Sequence, residues 1–210
     1  MILIADSGAS KTEWAYVSRS DGSGIRFISQ GYNPNYITDS QIVADIHGCR
    51  PAGVVPELVD EIYFYGAGLT GLNSHLMEAA LMSVFPNAAT VFLAADTLGA
   101  CRALLGDRPG FAAILGTGTN SCLYDGRGIG LKVASCGFIL GDEGSGAYMG
   151  KRLITDFLRL NMPDGVYELT AAELGMDNDA IIDRIYRQPF PNRFCAGFAG
   201  FIRANLGTSP

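Results

Sequence analysis

Asp6 and the small residues that follow it form the first stretch whose residue types could do chemistry. The apolar run Met1–Ala5 ends at this acid, and Ser7–Ser10, Lys11 and Thr12 come next. A buried strand that ends in a carboxylate beside a tight loop offers backbone N–H groups to phosphate and an oxygen ligand to Mg²⁺. The sequence therefore predicts a phosphate-binding loop made of Gly8, Ala9, Ser10, Lys11 and Thr12.

A similar pattern returns in the second half of the chain. The apolar run Phe111–Leu115 is followed by Gly116, Thr117, Gly118 and Thr119, and then by a strand, a glycine turn and another strand. This internal repeat predicts a second phosphate-binding loop at these four residues. Two such hairpin loops that face each other can clamp the phosphates of a nucleotide, with Mg²⁺ held through water by Asp6.

Two further acids stand at places where elements meet. Asp96 follows the predicted strand Thr90–Ala95 and precedes a predicted helix, so it either caps that helix or projects into a site. Asp142 lies in Gly141–Gly146, just before another predicted helix, and has the same two interpretations.

Two glycine-containing runs of the chain are similar to known phosphate-binding motifs. The run Gly8–Thr12 lacks the glycine before Lys11 that a P-loop requires, and a strand follows it instead of a helix. The run Gly66–Gly71 does fit G-x-G-x-x-G between a strand and a helix, with Asp96 ending the next strand. An NAD-binding Rossmann protein is therefore an alternative, although the strands before Gly66 and the second strand–loop–strand copy do not belong to that pattern.

Composition limits the class of protein. The chain has 210 residues, 48% of them hydrophobic, and a formal net charge of −6. This acidic balance argues against a nucleic-acid or membrane surface and leaves room for a local phosphate site. Five cysteines without a C-x-x-C pair favour reduced thiols, and no signal peptide or membrane helix is predicted, so a cytoplasmic protein is expected.

Hydrophobic periodicity predicts a mixed α/β fold, in which a three-strand meander is followed by alternating strands and helices. Predicted strands are Met1–Asp6, Glu13–Arg19, Ile25–Gln30, Glu61–Tyr65, Thr90–Ala95, Phe111–Leu115, Cys122–Tyr124 and Ile129–Ser135. One predicted helix is capped by Asp39 or Ser40 and ends at His47. The others cover Ser74–Phe85, Leu98–Leu105, about Ala147–Leu160 and most of 170–206.

Five segments together resemble the N-acetylglucosamine kinases and the related BadF/BadG-type ATPases of the sugar kinase, heat-shock 70 and actin superfamily. The segments are DSGASKTE (Asp6–Glu13), GYNPN (Gly31–Asn35), AADTLGA (Ala94–Ala100), LGTGTNS (Leu115–Ser121) and GDEGSGAYMG (Gly141–Gly150). The resemblance implies a ribonuclease H-like, actin-like ATPase fold with two similar domains around a cleft, at residues 1–106 and 107–210. It also implies a helical insertion at about 144–206.

The resemblance also implies a function and its residues. It implies ATP-dependent phosphorylation of an amino sugar, most simply N-acetylglucosamine at O6, with Asp96 as the base that takes the proton from the sugar hydroxyl. It implies sugar contacts by Asn35, Asn120, Gly137 and Asp142. The implied partners are ATP, Mg²⁺ and a small sugar, without nucleic acid or membrane, and a homodimer is one expectation for the assembly.

Members of this family normally carry a further adenosine loop and a closing helix after the segment that ends this chain. We therefore expect the second domain to lack its C-terminal part and the chain to bind ATP more weakly than a longer homologue. Other functions on the same fold stay open. One is an ATPase activator of a CoA-ester dehydratase or reductase, for which Cys136 is the single cysteine in a suitable loop. The other is a non-catalytic sensor.

Overall fold

A computed structural model describes residues 1–32, 37–69, 71 and 73–207 of the chain. It divides the chain into two compact units, Met1–Ala112 with Cys122–Leu131 and Ala113–Ser121 with Lys132–Pro210. The strands are β1 (Ile2–Ser7), β2 (Lys11–Val17), β3 (Gly24–Gln30), β4 (Glu61–Gly66), β5 (Thr90–Ala95), β6 (Gly110–Leu115), β7 (Thr119–Tyr124) and β8 (Ile129–Val133). The helices are α1 (Asp39–Cys49), α2 (Ser74–Val84), α3 (Asp96–Leu105), α4 (Gly137–Leu140), α5 (Gly146–Leu158), α6 (Asp164–Leu174), α7 (Asn178–Tyr186), α8 (Pro191–Ala196) and α9 (Ala199–Ala204). The predicted domains at residues 1–106 and 107–210 stay a prediction.

The first unit contains a five-stranded mixed sheet in the order β3-β2-β1-β4-β5. Strands β1, β2 and β3 form the predicted antiparallel meander, while β1, β4 and β5 run parallel. Helix α2 connects β4 to β5 and α3 follows β5. The carboxyl ends of β1, β4 and β5 therefore lie at one edge of the sheet, which is where ligands bind in open α/β sheets.

Alternation of buried and exposed residues decides which sheet face forms the core. In β2, Thr12, Trp14 and Tyr16 are buried while Lys11 and Glu13 are exposed. The Trp14 ring stacks on Phe27 with centroids 5.6 Å apart, and residues of α1 and α2 pack against the same face. Burying such a side chain stabilises the fold by about 1.5–3 kcal/mol, so this face fixes the register of the meander.

Helix α3 also packs against the five-stranded sheet. It packs against β4, β5 and β1, and Gly99 lies against the Tyr65 ring. In the middle of α3, Cys101 joins a small buried cluster with Ala112, Cys122 and Tyr124. Strands β6, β7 and β8 form a separate three-stranded sheet in that order.

The second unit is mainly helical, as predicted for the end of the chain. Its core contains Ile154 and Phe157 of α5 together with residues of α6, α7 and α8. Helices α5 and α8 pack so closely that a Cβ on Gly150 would lie 1.8 Å from the Cys195 carbonyl oxygen. Glycine at this position is therefore required by the packing distance.

Some predicted boundaries were wrong. Strand β8 ends at Val133, not at Ser135, and the short helix α4 was not predicted. Helix α1 is capped by Thr38, which forms a capping box with Gln41, so neither Asp39 nor Ser40 is the cap. In the described part of the chain, no helix is long and apolar enough to cross a membrane.

Candidate active site

Asp6 and Asp96 come together at the carboxyl edge of the first sheet. Asp6 is the penultimate residue of β1, and Asp96 follows the last residue of β5. The parallel register pairs Ser7 with Gly66 and Gly66 with Ala95, so all three strands end at the same level. The sheet topology thus brings together two acids that are 90 positions apart in the sequence.

The charges around Asp6 are mostly negative. Partial desolvation raises the pKa of the Asp6 carboxyl above its ordinary value, and the negative charges of Asp96 and Glu13 raise it further. Lys11 opposes this shift more weakly. An ionised Asp6 therefore carries negative charge that its neighbours do not compensate, which favours a cation at this place.

The first predicted phosphate loop is shorter than the sequence suggested. Lys11 and Thr12 belong to β2, and the Gly8 N–H donates to the Lys11 carbonyl at 2.9 Å, which closes a tight turn. Gly31 approaches this turn so closely that a Cβ there would lie 2.4 Å from the Gly8 carbonyl oxygen. The Gly31 N–H also donates to the Ser10 carbonyl at 3.2 Å. Gly31, the first residue of the GYNPN segment, therefore packs against the turn and stabilises it.

Thr12 lies at the base of the hairpin, not at its tip. Its side chain is fully buried, and its hydroxyl lies 2.8 Å from the Ser7 hydroxyl and donates to the Gln30 carbonyl at 2.9 Å. The Ser7 hydroxyl also accepts from the Tyr32 N–H at 3.2 Å. These bonds give Thr12 a structural role in the hairpin, and a direct phosphate contact by Thr12 stays a prediction. Ser7, the last residue of β1, is part of this buried network.

Lys11 is the basic residue of the first loop. Its ammonium forms an ion pair with Glu13, which raises the pKa of the lysine and lowers the pKa of the glutamate. Both side chains are more than half exposed, so the pair adds little stability. A phosphate would have to compete with Glu13 for this lysine.

Asp96 is the first residue of α3, and Ala95 is the N-cap. The Asp96 carboxylate accepts the Thr97 N–H at 2.8 Å, a contact between sequence neighbours. An acid in the first turn interacts favourably with the helix dipole. Asp96 is therefore not the N-cap of α3. Its carboxylate still stabilises the start of the helix, from the first helical position.

The second predicted loop is held by Asp142. Thr119 is the first residue of β7, and its N–H donates to the Asp142 carboxylate at 3.1 Å. The Thr119 hydroxyl donates to the Glu143 carbonyl at 2.9 Å. A Cβ on Gly118 would lie 2.9 Å from the same Asp142 carboxylate, so glycine allows the acid to approach the loop.

The loop also joins the start of α5. Gly146 and Ala147 donate their N–H groups to the carbonyls of Gly116 and Thr117 at 2.9 and 3.1 Å. Ser145 is the N-cap of α5 and accepts from the Tyr148 N–H at 3.1 Å. The capping alternative for Asp142 is therefore wrong for this helix.

The remaining predicted sugar contacts occupy different environments. Asn120 is a half-buried residue of β7, next to Thr119. Gly137 begins α4 with a φ of +69° and has open space where a Cβ would be. Asn35 lies outside the described residues. The described residues contain no group of three His, Cys, Asp or Glu side chains that could hold a metal ion by themselves.

Comparison with known proteins supports one family. No family model matches the chain, and no curated protein matches it. A solved structure of the putative N-acetylglucosamine kinase from Porphyromonas gingivalis is 43% identical with a TM-score of 0.90, covering 98% of this chain and 73% of that one. The putative N-acetylglucosamine kinase from Chromobacterium violaceum is 20% identical with a TM-score of 0.72, covering 97% of this chain and 73% of that one, and supports the fold alone.

The observed fold and these two similar structures agree with the fold predicted from the sequence motifs. The described sheets and helices correspond to the actin-like ATPase fold of sugar kinases. The dinucleotide-binding alternative loses support, because the sheet that contains β4 and β5 also contains the antiparallel strands β2 and β3, which do not belong to the parallel Rossmann pattern. The identity to the Porphyromonas protein and its coverage show that this chain belongs to the N-acetylglucosamine kinase family of sugar kinases.

Proposed function

We propose that this chain transfers the γ-phosphoryl group of ATP to an amino sugar, N-acetylglucosamine, at its 6-hydroxyl. The observation that carries the proposal is the pair Asp6 and Asp96 at one sheet edge, close enough for the charge of Asp96 to raise the pKa of Asp6. The name of the Porphyromonas relative supports the choice of sugar.

In this proposal Asp96 is the catalytic base. Its carboxylate accepts the proton of the sugar hydroxyl while the hydroxyl oxygen bonds to the γ-phosphorus and the bond to the ADP oxygen breaks. A positioned base of this kind contributes about 10²- to 10⁴-fold to the rate. Its place at the first residue of α3, with one oxygen accepting the Thr97 N–H, fixes the carboxylate on a rigid element.

Asp6 is the residue that would hold Mg²⁺, through water. The uncompensated negative charge around its carboxylate fits a hard cation, and a single carboxylate with phosphate oxygens is the usual magnesium environment. The chemistry that Mg²⁺ would supply there is neutralisation of the negative charge of the nucleotide phosphates.

The two glycine and hydroxyl loops would bind the phosphates. We assign this role to Gly8, Ala9, Ser10, Lys11 and Thr12 in the first unit and to Gly116, Thr117, Gly118 and Thr119 in the second. We assign sugar hydroxyl contacts to Asn35, Asn120, Gly137 and Asp142. Backbone N–H groups suit phosphate because they carry positive partial charge without a mobile side chain.

The test is an ADP-release assay on the chain with ATP, Mg²⁺ and a panel of hexoses and N-acetylhexosamines. We expect N-acetylglucosamine to have the highest kcat/KM, with 6-deoxy-N-acetylglucosamine inactive as acceptor. Asp96→Asn should lower kcat by about 10²-fold or more. Asp39→Asn is a matched control, because Asp39 is also the first residue of its helix and accepts the next N–H, at 2.7 Å.

The outcomes separate the parts of the proposal. Activity on another hexosamine alone would change the substrate and keep the kinase. Unchanged activity of Asp96→Asn would remove Asp96 as the base. Equal losses in Asp96→Asn and Asp39→Asn would show that the asparagine acts through helix stability and not through proton transfer.

A further inference from the structure

Tyr65 lies beside Asp6 in the sheet and against the helix that begins with Asp96. The parallel register pairs it with Asp6 on β1 and with Ala94 on β5. Residues paired in this way project from the same sheet face, so the Tyr65 side chain and the Asp6 side chain lie on one face of the sheet. Neither the family resemblance nor the sequence patterns assigned it a role.

The Tyr65 ring determines how closely α3 can approach the sheet. A Cβ on Gly99 would lie 2.8 Å from Tyr65 Cγ and 3.0 Å from Tyr65 Cβ. Carbon atoms in good contact are about 3.5–4.0 Å apart, so the helix backbone rests directly on the ring. Gly99 is three residues after Asp96, on the same helix face. The contact therefore lies one turn below the proposed base.

Arg102 holds the ring from its other end. Its guanidinium donates to the Tyr65 hydroxyl at 2.9 Å and lies 4.8 Å from the centroid of Phe92. A guanidinium over an aromatic face adds a cation–π attraction. Tyr65 is thus contacted by α3 at both its ring and its hydroxyl, which ties the helix to β4 and β5.

We propose that Tyr65 is a positioning residue, which sets the height of α3 above the sheet through Gly99 and Arg102 and thereby places Asp96 for proton transfer. The part of this inference that concerns catalysis rests on the proposed kinase function. The part that concerns the position of α3 does not.

The central experiment is the variant Gly99→Ala. The added methyl forces α3 and the ring apart by about 0.7–1 Å, and a misplacement of this size can cost about 10²-fold in rate. We expect kcat to fall about 10- to 100-fold while KM for ATP stays within about twofold. The double variant Gly99→Ala with Tyr65→Ala removes the ring but keeps the Cβ of residue 65, which lies 3.0 Å from the added methyl. The rescue should therefore be partial and restore at least a third of the lost log kcat.

Three further variants complete the set. Gly48→Ala is a matched glycine substitution within α1, where a Cβ would meet nothing within 4 Å, and it should leave kcat unchanged. Tyr65→Phe keeps the ring and removes the hydroxyl that Arg102 contacts, so its kcat should fall less than threefold. Tyr65→Ala alone tests the same contact without adding any atom, and we expect kcat to fall with KM for ATP unchanged.

A second readout does not depend on activity. The Thr97 N–H donates to the Asp96 carboxylate, so its amide resonance in a ¹H–¹⁵N spectrum reports the geometry at the proposed base. It should move in Gly99→Ala, return toward the wild-type position in the double variant, and stay in place in Gly48→Ala.

Failure of the two ideas can be distinguished. A wild-type chain without kinase activity, but with the Thr97 resonance behaving as described, would overturn the proposed function and keep the role of Tyr65 in placing α3. An active enzyme in which Gly99→Ala keeps both its kcat and its Thr97 resonance would overturn the positioning role. A double variant no better than Gly99→Ala in either measurement would also overturn it.

Discussion

At Asp142, the contribution of the side chain to stability can be separated from the contribution of the backbone conformation. The residue is 9% exposed, and its carboxylate accepts the Thr119 N–H at 3.1 Å. Its backbone has a φ of +58°, in the left-handed region. We expect Asp142→Ala, Asp142→Gly and Asp142→Asn to destabilise the second unit by different amounts, in that order from largest to smallest.

The expected magnitudes follow from these two features. Loss of the acceptor leaves the Thr119 N–H without its charged partner, which costs about 1.5–3 kcal/mol. The left-handed conformation costs alanine about 1 kcal/mol more, whereas glycine adopts it freely. Asp142→Ala should therefore cost about 2.5–4 kcal/mol and Asp142→Gly about 1.5–3 kcal/mol. Asparagine keeps an acceptor oxygen and tolerates a positive φ, so Asp142→Asn should cost less than about 1 kcal/mol.

The assay is urea unfolding observed with two probes. Circular dichroism at 222 nm is dominated by helices, most of which belong to the second unit. Fluorescence of Trp14, the single tryptophan of the sequence, reports the first unit. The dichroism midpoint should fall in the stated order while the Trp14 midpoint changes least. The reasoning would be refuted if Asp142→Ala were as stable as the wild type, or if Asp142→Asn cost as much as Asp142→Ala.

Two other predictions use pKa values. The raised pKa of Asp6 means that the folded state binds this proton more tightly than the unfolded chain, so its contribution to stability falls as pH rises from 3.8 through the raised value. Asp6→Asn should therefore raise Tm at pH 7, by only about 1–2 °C because solvent screens an exposed group, and should not raise Tm at pH 3. An equal rise in Tm at both pH values would contradict this. Burial raises the pKa of Cys101 to about 11, and Cys122 is also buried, whereas Cys136 is exposed. Iodoacetamide at pH 8 should therefore alkylate Cys136 first, as checked by peptide mass spectrometry, and equal rates at Cys101 and Cys136 would contradict the buried cluster.

The fold was predictable wherever the pattern is local. Alternation at Trp14 and Tyr16 predicts a half-buried strand, and β2 indeed buries those residues. The repeat of strand, glycine loop and strand predicted the hairpin at Gly116–Thr119. Boundaries were less predictable, because a hairpin closes where its first backbone hydrogen bond forms. In the first loop that bond is Gly8 to Lys11, so Lys11 already belongs to the strand.

The burial of Thr12 follows from the periodicity of its strand. Thr12 is two residues before Trp14, so both project from the same face of β2. A residue that shares a face with a core tryptophan is expected to be buried, and its hydroxyl then needs partners inside the protein. Ser7 and Gln30 supply them. The loop motif suggested a phosphate ligand at this position, while strand periodicity indicated a core residue.

Other parts of the site depend on contacts that no local pattern contains. A glycine inside a helix costs about 1 kcal/mol relative to alanine, so Gly99 in α3 indicates that something approaches the helix there. The sequence does not say what, because the neighbour, Tyr65, is 34 positions earlier on another element. Sheet register brings Tyr65 beside Asp6, and the close packing at Gly99 brings α3 down onto it. The residue types of the candidate site can thus be found from motifs, whereas the packing of α3 on the sheet depends on a tyrosine and a glycine that belong to neither phosphate loop.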